Sequence, residues 1–183
     1  MSDYSCLSIL KTKAKKLVRT QKIKQSEALE IVAKEAQFSS YHELKEVAKR
    51  DPFESRLILA AMGESSLEDA LYTEEVFSAI ETEVMELLSG ETADTNAYDF
   101  NVEDLEATKV KYDEKLGILT VLASFTYQGE QDPDRAYSGT SFEVVAEMEL
   151  ILRENEWSLV EGSLELTSVV PDTDRDWYDD VDG

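Results

Sequence analysis

A chain of 183 residues with 42% apolar content can form one good core, or a small helical module joined to a larger domain; wholesale disorder is excluded. One cysteine and one histidine exclude an internal disulfide and a multi-histidine metal site, and no apolar run approaches the roughly 20 residues that span a bilayer. The net charge of −22 is uneven: residues 1–50 hold 11 basic against 6 acidic side chains, and the remainder holds 7 against 34. That division predicts segments that face different partners, or face each other, beside the plainer reading of acidic solubility.

The start, MSDYSCLSILKTKAKK, carries its positive charge after a very short apolar patch, the reverse of a secretory signal. The expected location is therefore the cytoplasm, most simply of a bacterium, with no membrane segment, zinc motif or cofactor. Lys11, Lys13, Lys15, Lys16, Arg19, Lys22 and Lys24 follow one another without an intervening acid. Leu7, Leu10, Ala14, Leu17 and Val18 fall at spacings of three and four, so this stretch predicts an amphipathic helix with a cationic outer side. Ser26 is placed to cap a second helix whose inner stripe is Ala28, Leu29, Val32, Ala33 and Ala36. Ser40-Tyr41-His42-Glu43 is a capping-box pattern opening a third, with Leu44, Val47 and Ala48 inward and Phe38 as a core plug. Residues 1–50 thus read as a basic three-helix module.

Helices two and three have roughly helix-turn-helix spacing, but Gln37 replaces the turn glycine and Glu43 falls where a buried aliphatic is wanted. Glu43 and Glu46 would also repel phosphates. The cationic first helix is the better candidate for backbone contact with nucleic acid, which would be sensitive to salt and poor in sequence information. The alternatives are a solvated basic face and contact with a protein.

The run LKTKAKKL followed by SEALEIVAKEAQFSSYHEL resembles a short N-terminal helical module of bacterial mobile-element and uncharacterised proteins, which also occurs in some glyoxalase-superfamily chains. The resemblance covers about residues 7–48, with Gln37 where the module's glycine stands and Tyr41 where a tryptophan is common. It implies a small helical attachment module and carries no activity. Glyoxalase chemistry does not transfer, because a single histidine cannot build that metal set.

Residues 51–90 form an acidic helical segment. Asp51-Pro52 reads as a helix start, Phe53, Leu57, Ile58, Ala60 and Ala61 follow, and Gly63 ends the helix. Thr73 is placed to cap TEEVFSAIETEVMELLSG, with Val76, Phe77, Ile80, Val84, Leu87 and Leu88 as its apolar stripe and Gly90 as its stop. That stripe is expected to cover one face of a sheet. Residues 91–104 are polar and turn-rich, and read as a linker.

Residues 105–170 predict an antiparallel meander of four strands. The third strand is the plainest: in TSFEVVAEMELIL, Phe142, Val144, Ala146, Met148, Leu150 and Leu152 alternate with Glu143, Glu147 and Glu149. In the fourth, Trp157–Val169, the apolar phase changes near Glu161-Gly162, which predicts a bulge. The fold class is α+β, a small helical module followed by helices packed on a four-stranded antiparallel sheet.

Glu143, Glu147 and Glu149, with Glu161 or Glu165 beside them, repeat along a flat face. Paired carboxylates can act as acid and base in a cleft, but a flat row points to a solvated surface or to recognition of a cationic partner. Residues 171–183 form an acidic tail holding Asp174, Asp176, Trp177, Tyr178, Asp179 and Asp180. Asp172, Asp174 and Asp176 imitate half a calcium loop, but Trp177 takes the place of its glycine and Gly183 that of its glutamate. The aromatic pair within acid suits a basic groove on a partner or the chain's own basic helix; otherwise the tail is solubilising.

No phosphate-cradling glycine loop or nucleophile motif is present. The functional expectation is a non-enzymatic adaptor or neutraliser, of antitoxin or immunity type, whose acidic face and tail bind a protein with a basic surface. The alternatives are a DNA-mimic inhibitor and a DNA-associated regulator working through Lys11–Lys24.

Overall fold

The computed structural model describes residues 4–174. Helices precede the sheet in an α+β chain: α1 (Cys6–Gln21), α2 (Gln25–Glu35), α3 (Tyr41–Arg50), α4 (Ser55–Met62), α5 (Glu74–Leu87) and α6 (Ser89–Ala93). The strands are β1 (Ala97–Asp113), β2 (Ile118–Gln131), β3 (Ser141–Arg153), β4 (Glu156–Leu159) and β5 (Glu165–Pro171). β1 to β4 lie side by side in chain order, and β5 also pairs with β3, antiparallel to it. Among the described residues no helix is long and apolar enough to cross a membrane.

The chain divides into two compact units. The first runs to Thr73 and adds Lys111–Leu119 and Leu150–Ser158. Here α1 packs on α2 and α4, and α2 on α3. The apolar spacing explains why: Leu10 and Ala14 of α1, Ala28 and Val32 of α2, and Leu44 of α3 are buried. Phe38 is buried as expected, and the Arg56 guanidinium lies 4.1 Å above its ring centre. The third helix has the expected cap: Ser40 Oγ accepts from Glu43 N at 3.2 Å. The Glu43 carboxylate reaches back to accept from Ser39 N at 2.6 Å. Cys6 is buried, and burial pushes its thiol up to about 12, so it stays protonated at neutral pH.

Other helix ends differ from the sequence expectation. α2 begins at Gln25 with Lys24 as its cap residue, so Ser26 lies inside the helix. Asp51-Pro52 forms a turn in which Asp51 Oδ1 accepts from Phe53 N at 3.2 Å. That Asx turn occupies the aspartate, and Glu54 caps α4 instead, accepting from Arg56 N at 2.9 Å. Gly90 does not stop a helix; α5 ends at Leu87 and Gly90 lies in α6. The Thr73 hydroxyl donates back to Ala70 O at 3.2 Å.

The second unit takes Glu74–Val110, Thr120–Glu149 and the chain from Leu159. Its core joins Val76, Ile80 and Val84 of α5 with Val121, Ala123, Phe125 and Tyr127 of β2 and Val144, Ala146 and Met148 of β3. Leu87, expected in the stripe, is 48% exposed. Burial, with the Glu81 charge of α5, pushes the Tyr127 phenol up. β1 starts at Ala97, within the stretch read as linker, and Phe100 stacks on Tyr127 with ring centres 5.2 Å apart. The expected last strand is split in two, β4 and β5, by a turn at residues 160–164 that contains Gly162 at φ +70°. This turn changes the inward phase from Trp157 to Leu164, both buried.

Candidate partner-binding face

Alternation along β3 divides its side chains as the sequence predicts: Phe142 to Leu152 at even positions are buried, and Glu143 and Glu147 are exposed. Glu149 is half-buried because the turn after β4 folds over it. There Glu149 N donates to Ser163 Oγ at 3.1 Å, and Glu149 O accepts from Val160 N at 2.8 Å.

β5 brings a second row of side chains to this face. Its register places Glu143 opposite Val170, Val145 opposite Ser168, and Glu147 opposite Glu165. Thr167 is the extra residue of a bulge between these pairs, and its hydroxyl donates to Val145 O at 3.0 Å. Two like charges directly opposite across antiparallel strands destabilise the pair. Nothing in the local fold requires both carboxylates there, since each is exposed.

Beside this pair the face forms a trough of about 350 Å³, with Glu143 and Asp104 at its rim and Ser124, Thr126, Ser168 and Val170 along it. Asp104 enters because it adopts φ +52°, one of two left-handed residues that bend β1. Acidic rims, hydroxyl acceptors and a valine patch suit the ammonium or guanidinium head and the apolar stem of a lysine or arginine side chain. Sequence reasoning named Glu143, Glu147 and Glu149, and offered Glu161 or Glu165 as a neighbour. The register selects Glu165, while Glu161 lies exposed in the turn after β4. Asp104 was missed, because its left-handed backbone breaks the alternation from which a face could be assigned.

The other predicted residues fall elsewhere. Asp174 is exposed in a short 3-10 turn, Asp172–Asp174. Asp176, Trp177, Tyr178, Asp179 and Asp180 lie outside the described residues. Asp172 is 9% exposed, and its Oδ2 accepts from Tyr137 Oη at 2.6 Å, Thr140 N at 3.0 Å and Thr140 Oγ1 at 3.1 Å. Burial alone would raise its pKa, but the hydrogen bonds from Tyr137, Thr140 and Ser141 outweigh it and hold the carboxyl below its usual range. The tail therefore begins with an anchor that ties it to the long β2–β3 loop.

In the first unit Lys15, Lys16, Arg19, Lys22 and Lys24 are exposed and Lys11 is half-exposed. Lys13 departs from the expected outer row: its Nζ donates to the carbonyl of Ala60 in α4. Among the described residues no group of three histidine, cysteine or acidic side chains could hold a metal ion. No protein-family model matches the chain, and no curated protein or solved structure matches it significantly.

Proposed function

We propose that the protein is a non-enzymatic adaptor or neutraliser that binds a protein with a basic surface through the acidic face of β3 and β5. The observation that carries this reading is the Glu147–Glu165 juxtaposition beside the Asp104–Glu143 trough. A like-charged pair costs stability in the free chain and becomes favourable only when a cation meets it. A face kept for solubility needs no facing carboxylates, since acids can be dispersed over the surface at lower cost.

The test is capture of a tagged full chain's partner in its native host at low and high salt. A stoichiometric basic protein, retained by the wild-type chain and lost from Glu147→Gln/Glu165→Gln, supports the reading. Equal retention by that variant overturns it. A second reading, contact with nucleic-acid phosphates, draws on the exposed row Lys15, Lys16, Arg19, Lys22 and Lys24. It requires nucleic acid in the eluate, released by salt and lost from Lys15→Gln/Arg19→Gln. A DNA mimic would instead yield a DNA-binding protein displaced by duplex DNA.

A further inference from the structure

β5 lies at an open edge of the sheet. β2 occupies one side of β3, β5 pairs with the other from Phe142 to Glu147, and no further strand pairs with β5 among the described residues. Side-chain exposure agrees. Leu166 and Val169 share a face with their cross-strand partners Ala146 and Val144, which are fully buried, yet both remain half-exposed. An edge strand presents a row of unpaired backbone N–H and C=O groups, which proteins guard with lysines, inward charges, prolines or bulges. β5 holds no lysine, and its one proline, Pro171, stands at its end. The Thr167 bulge interrupts the ladder toward β3, where its hydroxyl donates to Val145 O. Thr167, Val169 and Val170 favour extended backbone. The opposite edge strand, β1, is better guarded: left-handed Asp99 and Asp104 bend it, and it carries Lys109 and Lys111.

A strand added to β5 would lie about 4.8 Å from it and alternate its side chains between the two faces of the sheet. On the core side they would meet half-exposed Leu166 and Val169, so that side calls for apolar residues. On the outer side they would meet Glu165, Ser168 and Val170, all exposed; the last two line the trough, and Val170 lies opposite Glu143. A lysine or arginine on that side can lay its stem along Val170 and turn its cation to the carboxylates. A second copy of this chain, with its net charge of −22, is repelled from the same edge.

Building on the acidic face as the binding surface, we infer that the basic partner docks as an extended strand along the free edge of β5, with basic and apolar side chains in alternation. Main-chain hydrogen bonds hold the strand, its apolar side chains cover Leu166 and Val169, and the carboxylates select its charge.

The test uses the full chain labelled with nitrogen-15 and two synthetic peptides of equal length and charge. In one lysine alternates with valine; in the other it alternates with proline, which removes N–H donors and cannot continue a ladder. The expected result is saturable binding of the lysine–valine peptide, slowed amide exchange at residues 165–170, and at least tenfold weaker binding of the lysine–proline peptide. Glu165→Lys is expected to weaken the lysine–valine peptide at least fivefold, while Glu91→Lys, the same change at an exposed position in α6, leaves it unchanged. Equal binding of the two peptides would overturn the added strand and leave the acidic-face reading standing. Protection at 165–170 that Glu165→Lys does not weaken would overturn both. Protection there that grows with the chain's own concentration, without peptide, would assign the edge to a second copy and overturn the inference, as would no binding of the lysine–valine peptide.

Discussion

Asp172 and Glu147 show two fates for a carboxylate in the same acidic chain. Asp172 is surrounded by donors from Tyr137, Thr140 and Ser141, so its charge holds the loop after β2 to the start of the tail. Hydrogen bonds to a charged group contribute about 1.5–3 kcal/mol, and Asp172→Asn is expected to lose about that much in chemical denaturation at pH 7. The folded pKa is depressed, so this stabilisation is full above the ordinary value of 3.8 and is lost as pH falls through the folded value. The gap between wild type and Asp172→Asn should therefore hold from pH 7 to about 5 and close in stronger acid; a gap unchanged at pH 2 would remove the charged acceptor from the account. Glu147 has the opposite fate, facing Glu165 across the strand pair. Glu165→Gln is expected to stabilise the free chain by about 0.2–1 kcal/mol, less at high salt, in the same measurement.

At the level of elements, the turn between α2 and α3 combines legible sequence with local cost. Gln37 holds φ +63°, so a non-glycine residue stands in the left-handed region there. Gln37→Gly is expected to raise stability by about 0.5–1 kcal/mol, because the Arg56 contact at 3.1 Å is to the Gln37 backbone carbonyl and survives. The first half of β1 was not legible. Alternation is the signal of a strand, and left-handed Asp99 and Asp104 break it, leaving buried Val102 and Leu105 three apart. What fixes this half is a long-range contact: a Cβ on Gly129 would stand 2.7 Å from the Phe100 ring. Gly129→Ala is accordingly expected to cost about 1–3 kcal/mol by displacing that ring, with a lower melting temperature as the readout. β3 was legible because its inner face obeys the two-residue period without a break. Its partner row on β5 was not, because the Thr167 bulge sets the register and local sequence does not encode it. The anchoring role of Asp172 was hidden too, since nothing local separates it from the other acids of the tail.

For the whole molecule, 40 acidic against 18 basic side chains make self-repulsion a general cost. Screening acts over about 10 Å at 0.1 M salt, so the melting temperature should rise between low salt and that ionic strength; a fall would show that attractive pairs dominate. On our reading a basic partner supplies the same relief more specifically, at β3 and β5. The most direct measurement is hydrogen–deuterium exchange on the full chain, alone and bound to the protein it captures in its native host. The account predicts slowed exchange at residues 143–147 and 165–170 in the complex, with α1 unchanged. Protection confined to α1, or no protein captured, would contradict it.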